Sequence, residues 1–183
     1  MKKAFILILL LYVNALSILS QEGAVPLTNF QESREIEDQS WSICQNGDGV
    51  MMFANRRGVM TFDGQAWDFI RMPAVPYSLF YCRTNNRIYA GCDNNYGYLE
   101  KDQKGFYSYK TLSGDTASVG LITRINVTDS TIWFYGETSI SRHNLKTNQL
   151  EKRFVSGDSD GFTGMIVTPK NIFINVMSKG LFR

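Results

Sequence analysis

The sequence predicts an all-β protein made of a repeated four-stranded sheet, and three observations lead there. The apolar segments are four to seven residues long, rich in Val, Ile, Phe, Tyr and Trp, and bounded by Gly, Asn, Asp or Lys clusters. Similar segments recur about every forty residues. Helical periodicity is almost absent.

The repeat is visible when the segments are laid over one another. Ser42 to Ile70, Ser78 to Tyr109, Leu121 to Phe154 and Met165 to Arg183 each open with an apolar strand and a short polar loop. A second strand centred on an aromatic follows: Phe53, Tyr89, Trp133 or Phe173. Taking Gly58, Gly97, Ser139 and Gly180 as the starts of the third strands gives spacings of 39, 42 and 41 residues. A period near forty with about four strands per unit is the pattern of a β-propeller blade. One such sheet leaves both faces wet, so it becomes stable only when neighbouring sheets cover it. The expected fold is therefore an incomplete β-propeller of about three and a half blades.

Turn chemistry justifies the elements in order. Asn46-Gly47 and Asp63-Gly64 supply the positive-φ positions that tight hairpins need, and Trp67 begins the outer strand of the first unit as a packing residue. Blades are expected over about 39–73, 75–112, 118–156 and 162–183, the last incomplete. The chain is accordingly expected to be the front piece of a longer polypeptide, or to cover its open faces with a homodimer partner.

Ahead of the repeats, Lys2 and Lys3 precede an apolar run from Ala4 that Asn14 interrupts, with Ser20 before Gln21 as the cut site. This reads as an export signal over 1–20, too short to span a membrane. A lead-in segment over 21–38 follows. No membrane span is expected after cleavage, and the location is exported, periplasmic or extracytoplasmic. The formal charge of +2 comes from Lys2 and Lys3, and without them 17 basic residues face 17 acidic ones. So balanced a surface has no footprint for nucleic acid. Cys44, Cys82 and Cys92 are an odd number for an exported chain. They read as small buried apolar residues, with a Cys82–Cys92 bridge as the alternative.

A family resemblance rests on Gln39 to Pro73, "QSWSICQNGDGVMMFANRRGVMTFDGQAWDFIRMP", and Arg87 to Tyr109, "RIYAGCDNNYGYLEKDQKGFYSY". These stretches resemble the two-component regulator propeller family, the extracytoplasmic sensor portion of bacterial hybrid histidine kinases and LuxR-type regulators. Asn46 stands where that family usually has aspartate, and Ser139 where it has glycine. In that family further repeats, a three-Y domain, a membrane helix and a cytoplasmic output module follow. The motif marks a scaffold, so the resemblance implies ligand sensing and brings no catalytic residue.

The residues themselves offer little catalysis. His143, the only histidine, has no nucleophile motif nearby and reads as structural or surface. Ser156 to Phe162 resembles the Asp-rich turns that bind calcium or decorate sialidase propellers, but its spacing fits neither an EF-hand loop nor the sialidase box, so it reads as a plain turn; no metal and no cofactor are expected. Function is instead expected on the loops that join strands two and three of each unit and on those that join unit to unit, which share one end. The candidate ligand-binding residues there are Asn55, Arg56, Arg57, Asp93, Asn94, Asn95, Asp115, Glu137, Asp158 and Asp160. The partner is a glycan or other small ligand. A secreted carbohydrate-active enzyme and a protein-interaction scaffold are the alternatives.

Overall fold

The computed structural model describes Thr28 and residues 39–114, 118–157, 160–168 and 170–183. The described residues from 39 onward lie within one compact unit, Ser33–Arg183. The export segment expected over 1–20 lies outside the described residues, as does the lead-in over 21–38 apart from Thr28. No helix among the described residues is long and apolar enough to cross a membrane.

Residues 39–183 form four antiparallel sheets, so the all-β class expected from the repeat is the class observed. Sheet I contains β1 (Ser40–Gln45), β2 (Met51–Asn55), β3 (Gly58–Phe62) and β4 (Trp67–Arg71). Sheet II contains β5 (Pro76–Cys82), β6 (Arg87–Cys92), β7 (Asn95–Lys101) and β8 (Tyr107–Thr111). Sheet III contains β9 (Ile122–Val127), β10 (Thr131–Gly136), β11 (Ser139–Asn144) and β12 (Leu150–Val155). Sheet IV contains β13 (Phe162–Val167), β14 (Ile172–Val176) and β15 (Gly180–Phe182). Within each sheet every strand lies beside its neighbour in sequence.

Local chemistry sets the turns. Asp63 Oδ1 accepts the N–H groups of Gln65 and Ala66, both at 2.8 Å, and Gly64 takes φ +100°. The β1–β2 turn departs from expectation. Its left-handed glycine is Gly49, at φ +84°, rather than Gly47. Asn46 Oδ1 accepts from the amides of Asp48 and Val50, each at 2.9 Å, and this local capping moves the positive-φ position two residues on. Only two residues join β2 to β3, and Gly58 sits there at φ +149° with no room for a Cβ against the Ile70 carbonyl.

The sheets stack face to face, and strand alternation decides which residues meet. Met52, Ala54, Val59 and Ile70 of sheet I pack on Leu79, Ile88, Ala90 and Leu99 of sheet II. Tyr89 and Tyr96 carry the next interface onto Ile122, Ile132 and Phe134. Trp133, Tyr135 and Ile140 carry the third onto Phe162 and Met165. Two markers shift as a result. The third strand of sheet II begins at Asn95 and not at Gly97. In sheet I the position buried toward the next sheet is Met52, whereas Phe53 points to the other face beside Trp67.

The first strands lie innermost. Leu79 N–H donates to Ser42 Oγ and Ser78 Oγ donates to the Ile122 carbonyl, both at 3.0 Å, tying β5 to β1 and to β9. Gly91 has no space for a side chain between Ser78 and Ile122. Stacked four-stranded sheets with inner first strands make a partial propeller. One position reports where the stacking is open: Val59, Tyr96 and Ile140, each second in its third strand, are 0% exposed, whereas Leu181 of sheet IV is 69% exposed.

All three cysteines are free. Cys82 pairs across the hairpin with Arg87 and Cys92 with Pro76, and the two thiols join cores on opposite faces of sheet II. That register rules out the bridge considered from sequence.

Candidate functional site

Antiparallel order puts the second-to-third strand turns and the sheet-to-sheet connections at one end, and hydrogen bonds knit them together. Asp93 N–H donates to the Val75 carbonyl at 2.9 Å, and Asn94 N–H to the Gly120 carbonyl at 3.1 Å. Ser139 Oγ donates to the Val119 carbonyl at 2.7 Å. Beyond it, Ser156 N–H reaches the Thr138 carbonyl at 2.9 Å, Phe162 N–H the Glu137 carbonyl at 2.7 Å, and Met177 N–H the Gly161 carbonyl at 2.8 Å. Thus the connection from sheet II to sheet III, and that from sheet III to sheet IV, is bonded to the turns of both sheets it joins.

The candidate residues divide by what their side chains touch. Asn55 is fully buried, with its Nδ2 donating to the Gln39 carbonyl at 3.0 Å and its Oδ1 accepting from Arg57 N–H at 3.3 Å. Asn94 Oδ1 accepts from the amides of Val119 at 2.8 Å and Gly120 at 3.3 Å. Asn95 Oδ1 accepts from the Tyr109 hydroxyl at 2.8 Å and from Thr111 Oγ1 at 3.1 Å. Asp160 is held by Lys179. Arg56, Arg57, Asp93 and Glu137 are exposed. Asp115 and Asp158 lie outside the described residues. Three of the candidates therefore hold backbone and neighbours in place, and four face solvent.

At the opposite end a cleft of about 510 Å³ opens between the β9–β10 turn and the end of β13. Phe80, Ile125, Val127 and Val167 give it apolar walls, and Asn126 and Asp129 add polar groups. Its two rims are alike: Thr128 Oγ1 lies 2.8 Å from Thr131 Oγ1, and Thr168 Oγ1 donates to the Asn171 carbonyl at 2.8 Å. Among the described residues no group of three His, Cys, Asp or Glu side chains is placed to hold a metal.

Sequence reasoning missed a buried polar chain beneath the loop-lined end. Arg153 Nη2 donates to Tyr96 Oη at 2.9 Å and to the Ser113 carbonyl at 3.0 Å, while Arg153 Nε donates to Ser141 Oγ at 3.1 Å. Tyr96 Oη lies 3.0 Å from His143 Nε2, and His143 Nδ1 lies 2.9 Å from the Asn148 carbonyl. Burial lowers the His143 imidazole below its ordinary range, and the nearby Arg153 charge adds to this. No sequence signal joins these residues, because Tyr96 belongs to sheet II and Ser141, His143 and Arg153 to two strands of sheet III.

No protein-family model matches the sequence. No curated protein matches it either. Solved structures do match. The extracellular domain of BT4673 from Bacteroides thetaiotaomicron has been solved twice, described once as part of a one-component and once as part of a hybrid two-component system. The TM-scores are 0.63 and 0.61, at 15% identity in both cases, over 86% of this chain and 21% of that chain. A structural genomics protein of unknown function from the same organism matches with a TM-score of 0.54 at 13% identity, over 81% of this chain and 41% of that one. This chain thus spans about a fifth of the BT4673 domain. At such identities the likeness is one of fold, that of a stacked-sheet propeller.

Proposed function

We propose that residues 39–183 are the opening part of an extracytoplasmic sensor propeller of a two-component or LuxR-type regulator, binding a glycan or other small ligand and carrying no catalysis of its own. The observation that carries this reading is the loop-lined end, where connections and turns from successive sheets are bonded into one surface over a rigid core. Export rests on the residues Lys2 to Ser20, and the likeness in fold to an extracellular sensor domain supports the same location. In this reading Arg56, Arg57, Asp93 and Glu137 meet the ligand, with Asp115 and Asp158 assigned by their position in the connections. Asn55, Asn94 and Asn95 are supports. The outer face of sheet IV, with Leu181 and Ile166 exposed, is assigned to a further sheet of the same build from a longer chain or a second copy. Direct contact with nucleic acid has no place in the reading.

Thermal-shift measurements on the intact chain against a panel of oligosaccharides test it. A ligand at a hundredfold excess over its Kd adds about 2.7 kcal/mol to stability, a readable rise in Tm. The rise should disappear in Glu137→Ala and Asp93→Ala while their unliganded melting stays put. No rise with any sugar, together with a co-purifying protein, would instead mean an interaction scaffold. Cleavage of a sugar would mean an enzyme.

A further inference from the structure

We infer that His143 is a proton-operated latch between sheets II and III: uptake of a proton at Nε2 reverses its bond with Tyr96, strands the Tyr96 hydroxyl hydrogen and loosens the connection feeding the loop-lined end. The inference is independent of the ligand reading.

The direction of each hydrogen bond is fixed by what each atom can do. The Asn148 carbonyl can only accept, so His143 Nδ1 carries the hydrogen. His143 Nε2 is then a bare acceptor, and the Tyr96 hydroxyl donates to it. Arg153 can only donate, so it supplies the hydrogen bond that Tyr96 Oη accepts. The result is a one-way chain from Arg153 through Tyr96 and His143 to the Asn148 carbonyl. His143 is 1% exposed and Tyr96 0% exposed, so water does not substitute for the link between them.

A proton on Nε2 reverses one link. Two hydrogens would then face each other across 3.0 Å, and the Tyr96 hydroxyl would have to turn away and leave its own hydrogen without an acceptor. Its oxygen would also sit between two cations, imidazolium and guanidinium. The groups facing the ring are Tyr96 from β7 and Arg153 and Glu151 from β12. Arg142 on β11 itself pairs with Glu151 at 3.0 Å, and Arg87 of β6 reaches Asn148 Oδ1 at 3.3 Å. Cys82 and Tyr89 complete the surrounding cluster from sheet II. Arg153 opposes a proton on the ring, whereas Glu151 favours one and is engaged by Arg142.

The chain leads outward to the connection between the two sheets. Leu112 and Ser113 donate their amides to the Tyr96 carbonyl at 2.8 and 3.2 Å, and Arg153 holds the Ser113 carbonyl. Movement of Tyr96 and Arg153 therefore releases the start of the segment whose far end, Val119 and Gly120, Asn94 caps.

Because His143 is the only histidine, its ring gives a single set of NMR signals in the full chain. The expected result is the Nδ1–H tautomer at neutral pH and a titration midpoint below the ordinary imidazole range. On acidification, exchange of the Leu112 and Ser113 amides should accelerate at least tenfold after correction for intrinsic rates. In His143→Gln, whose Oε1 still accepts from Tyr96, that step should be absent. An Nε2–H tautomer, a midpoint at or above the ordinary range, or an equal acceleration in His143→Gln would overturn the latch. If that variant does not fold, the tautomer and midpoint of the unmodified chain decide.

Discussion

The side-chain oxygen of Asn94 accepts the backbone N–H of Val119 at 2.8 Å, joining a turn of sheet II to the far end of the segment that leads into sheet III. Asn94 also stands at φ +50°, a left-handed conformation that glycine tolerates. Asn94→Gly thus removes the cap while keeping the backbone. We expect a loss of about 1–2 kcal/mol in urea denaturation, together with faster exchange of the Val119 amide.

Ile140 and Leu181 occupy equivalent positions in sheets III and IV but differ wholly in burial. Ile140→Ala should cost about 2–5 kcal/mol, a large share of a domain's total. Leu181→Ala in the same chain should stay within about 0.5 kcal/mol. Parallel thermal melts check both.

Gly58 and Gly64 both have positive φ, yet only Gly58 is hemmed in. Gly64→Ala should register backbone strain alone, on the order of 1 kcal/mol. Gly58→Ala adds a collision with the Ile70 carbonyl and should fall well below it in Tm.

Burial pushes the Cys44 thiol up to about 11 and the Cys92 thiol up to about 12. Thiolate is the reactive form, so both should resist a thiol reagent at pH 8 until the chain unfolds. In denaturant without reductant all three cysteines should react. A count of one would reinstate a Cys82–Cys92 bridge.

The Asp63 carboxylate is held below its ordinary range by the amides of Ala66 and Gln65. The sign follows: its contribution to the β3–β4 turn is present above the ordinary carboxylate range and is lost as pH falls through the lowered value. Exchange of those two amides, corrected for intrinsic rates, should accelerate only on that acid side. In Asp63→Asn the pH dependence should vanish.

The strands and their repeat were legible because both are local properties of the chain, set by strand length, apolar runs and turn residues such as Asp63-Gly64. Which face each strand buries was not, since a one-residue difference exchanges the two faces. That is why Phe53 stood out in the sequence while Met52 does the packing. Strand alternation made it legible that the turns and connections gather at one end, but not what their side chains touch. Asn55, Asn94 and Asn95 were marked as polar loop positions, yet short polar side chains in turns first satisfy the nearest unpaired groups. The Tyr96–His143 contact spans 47 residues and two sheets, so no local pattern announces it.

Gly91, pressed between Ser78 and Ile122, has one more consequence. Where the second strand of sheet II meets the first strand of sheet III at a residue without a side chain, the two sheets come as close as their atoms permit. Each sheet is in effect a wedge, and its angle is ground at the inner rim. A bulkier residue at Gly91 would force sheets II and III apart at that rim, turning them more nearly parallel and blunting the wedge.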